Sequence, residues 1–193
     1  MKTIQTRLDA IGRRIEALVA RLQYAGYLFD RPEDVFPGPD PSALRVVAEI
    51  ESTVGRVPLA LKLFWLRIGS IDLSGSHPDW YAAGYLDPLI VFPPAIAHYE
   101  LNDYVLDRTE RDRLGIGYEV PIAPDYFHKA NVSGGPPYSI PIPASEDDPL
   151  LRHTPKPETF LEHIERGLRF GGFPGLELSP GHTWPVASLV DEA

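Results

Sequence analysis

Val46 to Gly69 reads VVAEIESTVGRVPLALKLFWLRIG, and the architecture follows from it. It is two helices with a stop after each. Asp40-Pro41 starts the first, because Asp caps free N–H groups and Pro suits the first helical position. Leu44, Val47, Ile50 and Val54 recur at three- and four-residue spacing and share one face. Gly55 follows the last of them, where a left-handed stop favours Gly. Pro58 opens the second helix and Gly69 ends it. Leu59, Leu61, Leu63, Phe64, Trp65, Leu66 and Ile68 leave only Ala60, Lys62 and Arg67 to face outward. Such a helix is buried, and the sequence predicts that it packs under a sheet. It is too short to span a membrane.

Glu51, Gly55, Pro58, Phe64-Trp65 and Gly69 together resemble the helical signature of the SUKH superfamily: an acidic residue, a Gly, a Pro and a bulky apolar helix ending in Gly. That family includes bacterial immunity proteins and a fungal cell-wall synthesis regulator. The run from Ile122 and Asp125 through Gly134-Gly135 to Tyr138-Ser-Ile-Pro-Ile142 is similar to the family's strand–turn–strand region. Phe160-Leu161 and Gly171-Gly172-Phe173-Pro174-Gly175 are similar to endings seen in bacterial members. The resemblance covers residues 40 to 178 and leaves the first forty outside it. It implies a domain that works by binding another protein, with a toxin effector, often a nuclease, as the partner.

Upstream, Ile4, Leu8, Ile11, Ile15, Leu18 and Leu22 alternate steps of four and three, a heptad stripe on a helix from about Ile4 to Ala25. The helix either lies across its own domain or serves as a dimer helix or partner-binding arm. Three heptads are marginal for an independent coiled coil, which favours the first reading. Both monomer and homodimer stay open. Tyr27 to Pro41 holds four prolines and no periodicity, and reads as a linker. The division is then an N-terminal helical arm with a Pro-rich linker over 1–39, and an α+β domain over 40–193.

Downstream, Ile71-Asp-Leu73, Leu89 to Phe92, Tyr118 to Ile122, Phe127 to Val132 and Tyr138 to Ile142 read as strands. Pro141 and Pro143 mark the last as an edge strand, since proline cannot donate to a ladder. Ala95 to Leu114 and Pro157 to Phe170 read as helices. In the second of these, Glu162 with Arg166 and Glu165 with Arg169 are expected to pair on the outer face. The fold class is therefore α+β: a single domain, mainly antiparallel sheet packed against helices, with an N-terminal amphipathic helix.

The chain of 193 residues carries 27 acidic and 18 basic residues, a formal net charge of −9. That balance argues against nonspecific nucleic-acid binding, which needs Lys and Arg to displace counterions, and against an anionic membrane surface. It suits a basic protein partner. With no cysteine, disulfides, thiolate nucleophiles and cysteine metal sites are excluded. The charged start is not a signal peptide, and the expected location is the cytoplasm. Asn131-Val132-Ser133 matches a glycosylation sequon and is read as a turn.

His77, His98, His128, His153, His163 and His182 form no HxxxH or HxH pair, so no metal and no cofactor is expected. Asp125 and His128, beside Lys129, could act as base and acid, but on a strand they point to opposite faces and need a turn to meet. Ser74-Gly75-Ser76 lacks a nucleophile elbow, and Gly115, Gly117, Gly134 and Gly135 lack the rest of a phosphate loop. No catalytic residues are assigned. Trp80 and Tyr81 read equally as a recognition anchor and as a lid on the core. Glu146, Asp147 and Asp148 form an acidic loop suited to steering a basic partner. The function expected is an immunity protein that neutralises a toxin by direct binding. The alternatives are a regulatory or scaffold protein of the same fold, and an enzyme with a site near Asp125 and His128.

Overall fold

A computed structural model describes residues 2–80, 86–105, 113–115, 117–130, 132 and 134–178. Helix α1 is Lys2–Tyr24, α2 is Ala43–Val54 and α3 is Leu59–Arg67. Asp40 Oδ1 accepts the Ser42 N–H at 2.6 Å in the turn before α2, but the N-cap is Ser42, whose side chain makes no cap bond, and Pro41 lies ahead of the helix and not at its first position. α2 buries Ala43, Val46, Val47, Ile50 and Val54. Leu44, expected on that face, is exposed. At about 100° per residue it falls a quarter turn or more from Ala43, at the rim of the buried arc.

Two glycines are obligatory stops. Gly55 has φ +100°, and a Cβ there would lie 2.8 Å from the Pro143 Cβ. Gly69 also has φ +100°, and its Cβ would sit 2.0 Å from the Gly38 carbonyl oxygen. Between the helices Glu51 is a clamp. Its Oε1 accepts the Val57 N–H at 3.3 Å, and its Oε2 accepts Lys62 Nζ at 2.8 Å. The end of α2 is thereby tied to the start of α3.

α3 buries Ala60, Leu61, Phe64 and Trp65. It packs among α1, α2 and α6 (Phe160–Arg169), not beneath a sheet, and Ala60 faces inward. The reason is the small size of the sheets, each of which is a two-stranded antiparallel ladder. β1 (Leu28–Phe29) pairs with β3 (Gly75–Ser76), and β2 (Ile71–Asp72) pairs with β4 (Ile90–Val91). β5 (Tyr118–Ala123) pairs with β6 (Tyr138–Ile142), Val120 opposite Ile140. Among the described residues no ladder lies across α3, which other helices cover instead, while α4 (Pro94–Val105) packs on β5. The fold is α+β as expected, a single domain in which helix outweighs strand.

Other elements depart from the sequence reading. The segment from Phe127 is not a strand: Tyr126–Lys129 is a one-turn helix, α5, capped by Asp125. α4 is Pro94–Val105, and the rest of the predicted helix, 106–112, lies outside the described residues. β6 has β5 on one side, and on the other Ser139 exchanges backbone bonds with Arg152, so its outer edge is partly covered.

The stripe on α1 is buried. Leu8, Ile11, Ile15, Leu18 and Leu22 belong to the same apolar cluster as Trp65, Ile140 and Phe173. α1 lies across its own domain against α3 and α6. Arg7 makes paired bonds to Glu165 at 3.0 and 2.9 Å, and Asp9 meets Arg67 at 2.5 Å. Trp65 is fully buried, and its indole N–H donates to the Phe92 carbonyl at 2.8 Å. No helix among the described residues is long and apolar enough to cross a membrane.

Trp65→Ala is expected to cost about 3–5 kcal/mol, read as a lowered urea midpoint at unchanged slope. Gly38 and Gly69 both have positive φ, but a Cβ at Gly38 meets nothing within 4 Å. Each Gly→Ala change should cost about 1–2 kcal/mol for the left-handed backbone. Gly69→Ala should cost clearly more, because only it also drives an atom into backbone; equal losses would contradict the close approach.

Candidate functional site

The described residues form a cleft of about 360 Å³ between the β1–β3 ladder, β4 and α5. Tyr27, Asp30 and Arg31 line one side, and Asp72, Ser74 and Ser76 the next. Leu86, Pro88, Ile90 and Phe92 supply apolar surface, and Pro124, His128 and Lys129 close it. A smaller hollow of about 80 Å³ shares Arg31, Asp72, Ile90 and Phe92, and reaches Asp34 and Ile96.

The charges are unequal. Arg31 donates to Asp72 Oδ2 at 2.5 Å and stands 3.4 Å from Asp34 Oδ2. Asp72 also accepts the Ser74 N–H at 2.9 Å, which fixes the turn before β3. Asp30 is exposed on the same wall, so the joined hollows are lined by three carboxylates and one guanidinium, which two of the carboxylates hold. Burial, with Asp30 and Asp72 nearby, raises the Tyr27 hydroxyl above its ordinary range. It stays protonated and donates to the Leu73 carbonyl at 2.9 Å.

At the other side of the cleft, the turn that the sequence reading required for Asp125 and His128 is present. As N-cap of α5, Asp125 accepts the Phe127 N–H at 2.8 Å, and its other oxygen holds His128 Nδ1 in a short contact. Burial pushes the Asp125 carboxyl up, but the bonds from His128 and the backbone outweigh it, and it sits below the ordinary range. The imidazole is half exposed. A carboxylate-oriented imidazole is half of a general-base arrangement. Among the described residues no hydroxyl is bonded to it. Among those residues, too, no three His, Asp or Glu side chains group as metal ligands.

Next to His128, Lys129 turns inward. Its Nζ is fully buried, 2.7 Å from Asp87 Oδ1, and lies 4.7 Å from the centre of the Tyr138 ring. Tyr138 donates its hydroxyl to Asp87 Oδ2 at 3.3 Å. Burial lowers the Lys129 pKa and Asp87 opposes the shift. The Tyr138 ring meets His163 edge-on at 5.7 Å. His163 Nδ1 then contacts Glu158 Oε1 at 2.8 Å. Arg166 donates to both Glu158 oxygens, at 2.7 and 2.6 Å, and to the Pro174 carbonyl at 2.9 Å. A buried polar chain thus runs from the floor of the cleft into α6. His163 Nε2 ends it, buried without a hydrogen-bond partner.

Most of this chain was invisible to sequence reasoning. Glu162 does not pair with Arg166. It bends back to accept the Thr159 N–H at 2.8 Å while Thr159 accepts the Glu162 N–H, a reciprocal cap. Glu165 is taken by Arg7, not Arg169. Thr159 three residues before Glu162 was the available signal. Glu158 lies in the loop before the helix, where helical spacing cannot reach it.

The predicted contact residues are scattered. Trp80 is only 5% exposed; it stacks on His77 at 4.6 Å and packs near Tyr27 and Phe173. It is a lid on the core and not an exposed anchor, because its ring is needed to cover Phe173. Tyr81 lies outside the described residues. In the acidic loop, Asp147 pairs with Arg56, and its carbonyl accepts the Ala60 N–H at 2.8 Å. Asp148 accepts the Leu161 N–H at 3.2 Å and stands 3.9 Å from Arg7; burial raises its carboxyl pKa. Glu146 is exposed. Two of the three acids thus hold helices in place.

In comparison with known proteins, no family model, curated protein or solved structure matches the chain.

The buried chain sets an acid limit. Burial, helped by Lys129 and opposed by Glu158, holds His163 below its ordinary value. The unfolded chain therefore protonates first, and stability falls as pH drops below about 6.5. Glu158 is held at about 2: burial alone would raise it, but Arg166 and His163 lower it. Its contribution is present above about 4.5 and is lost as pH falls toward 2. Urea midpoints across this range should fall steadily, and His163→Gln should remove the upper part of the fall. Arg166→Met should cost about 3–5 kcal/mol by stranding Glu158. Glu158→Leu combined with Arg166→Met should cost less than the single change, since no charge is then left unpaired.

Proposed function

We propose that this chain is a protein-binding domain that acts in the cytoplasm as an immunity protein, neutralising a toxin effector by direct contact. The observation that carries the reading is spatial. The residues of the SUKH resemblance quoted from α2 and α3 all serve that helix pair: Glu51 clamps the turn, Gly55 and Gly69 permit close approach, and Trp65 fills the core. In that pair the resembling residues hold the fold, and recognition falls to the surface. The net charge of −9 is the sign that meets a basic partner and speeds its encounter.

The test is co-expression with the product of a toxin gene encoded beside this one in its native host. Expected are restored viability and a one-to-one complex whose association slows as salt rises. Unchanged killing, with both proteins present and folded, would count against the proposal. A second reading, an enzyme, is favoured by the oriented His128 at a cleft. It requires turnover in a broad hydrolase screen that His128→Ala abolishes.

A further inference from the structure

We infer that the cleft around Arg31 and Asp72 is the surface on which the partner docks, and that it receives an arginine or lysine side chain from a loop of that protein. The inference rests on the protein-binding reading and adds a surface and a chemistry to it. The first support is charge. Asp30, Asp34 and Asp72 line the joined hollows, and Arg31 is already held between two of them. The other cation in the wall, Lys129, is taken up by buried Asp87. An incoming cation therefore meets carboxylates in excess, with Asp30 exposed to receive it.

The second support is shape and apolarity. Leu86, Pro88, Ile90 and Phe92 give the cleft walls that suit the aliphatic stem of a long basic side chain. Its volume of about 360 Å³ lies in the range of sites that hold small ligands. The third is the rim. Leu28, paired across the ladder with cleft residue Ser76, is 61% exposed. Phe127, next to cleft residue His128, is 42% exposed. Exposed apolar side chains beside a charged hollow offer anchors for the loop that carries the cation. An anionic ligand is disfavoured, because the guanidinium it would need is already neutralised.

Two experiments separate this inference from the reading beneath it. In the first, ¹⁵N-labelled protein is titrated with acetyl-Leu-Arg-Leu-amide and, separately, with acetyl-Leu-Glu-Leu-amide. The arginine peptide should shift the amide signals of Ser74, Gly75, Ser76 and Ile90, with a Kd on the order of 1 mM. Asp30→Asn with Asp34→Asn should weaken it at least about fivefold at unchanged melting temperature. Equal shifts with both peptides, shifts spread over the surface, or indifference to the double change would overturn the inference.

In the second, affinity for the neutralised toxin is measured. Asp30→Lys and Phe127→Ala should each lower it about tenfold, whereas Glu146→Lys, outside the cleft, should change it less than twofold. A toxin that binds both cleft variants as tightly as the wild type places docking elsewhere and leaves the protein-binding reading standing. If no toxin binds the wild type, that reading fails and the peptide titration alone decides the chemistry of the cleft.

Discussion

Arg166 is almost sealed from water, and Glu158 is the group that makes its burial tolerable. A guanidinium in an apolar interior is costly unless its donors are met with good geometry. Here two donors reach one carboxylate and a third reaches the Pro174 carbonyl. That requirement fixes the loop before α6, the helix itself and the 3-10 turn Pro174–Leu178 relative to one another. His163 meets the Tyr138 ring edge-on, and beyond it Tyr138 and Lys129 share Asp87, whose backbone is left-handed at φ 49°. The cleft wall is therefore anchored on two sets of polar contacts, joined by one ring-edge contact, that begin deep inside the domain.

The apolar part of the fold could be read from spacing. The α1 stripe, the inward face of α2 and the buried α3 follow from where Leu, Ile, Val and Trp recur, because burial of such faces is local in pattern. Gly55 and Gly69 were legible as stops, but not as points of contact with Pro143 and Gly38, which are distant in sequence. α5 was misread because Tyr, Phe and Val suit strands, and a one-turn helix holds too few residues to show a period. Its Asp125 cap decided the matter.

The candidate site was less legible for a related reason. Its walls come from residues 27–31, 72–76, 86–92 and 124–129, four segments that no motif joins. The pairs within it, Arg31 with Asp72 and Lys129 with Asp87, span 41 and 42 positions. The run of acids at 146–148 is plain in the sequence, yet the Asp148 carboxylate serves α1 and α6, while Asp147 holds α3 through its backbone carbonyl and keeps its side chain at the surface on Arg56. A charge run tells the number of carboxylates and not what they are holding.

The bond from Arg7 to Glu165 crosses 158 positions of chain. At synthesis rates of about 5–20 residues per second, roughly 8–30 s separate the appearance of the two ends. During that interval α1 is complete, but α6, a helix it packs against, does not yet exist. Its stripe of Leu8, Ile11, Ile15, Leu18 and Leu22 stays partly uncovered on the nascent chain until α6 arrives. A helix made before its partner waits for it, and the time it waits partly uncovered is set by the ribosome.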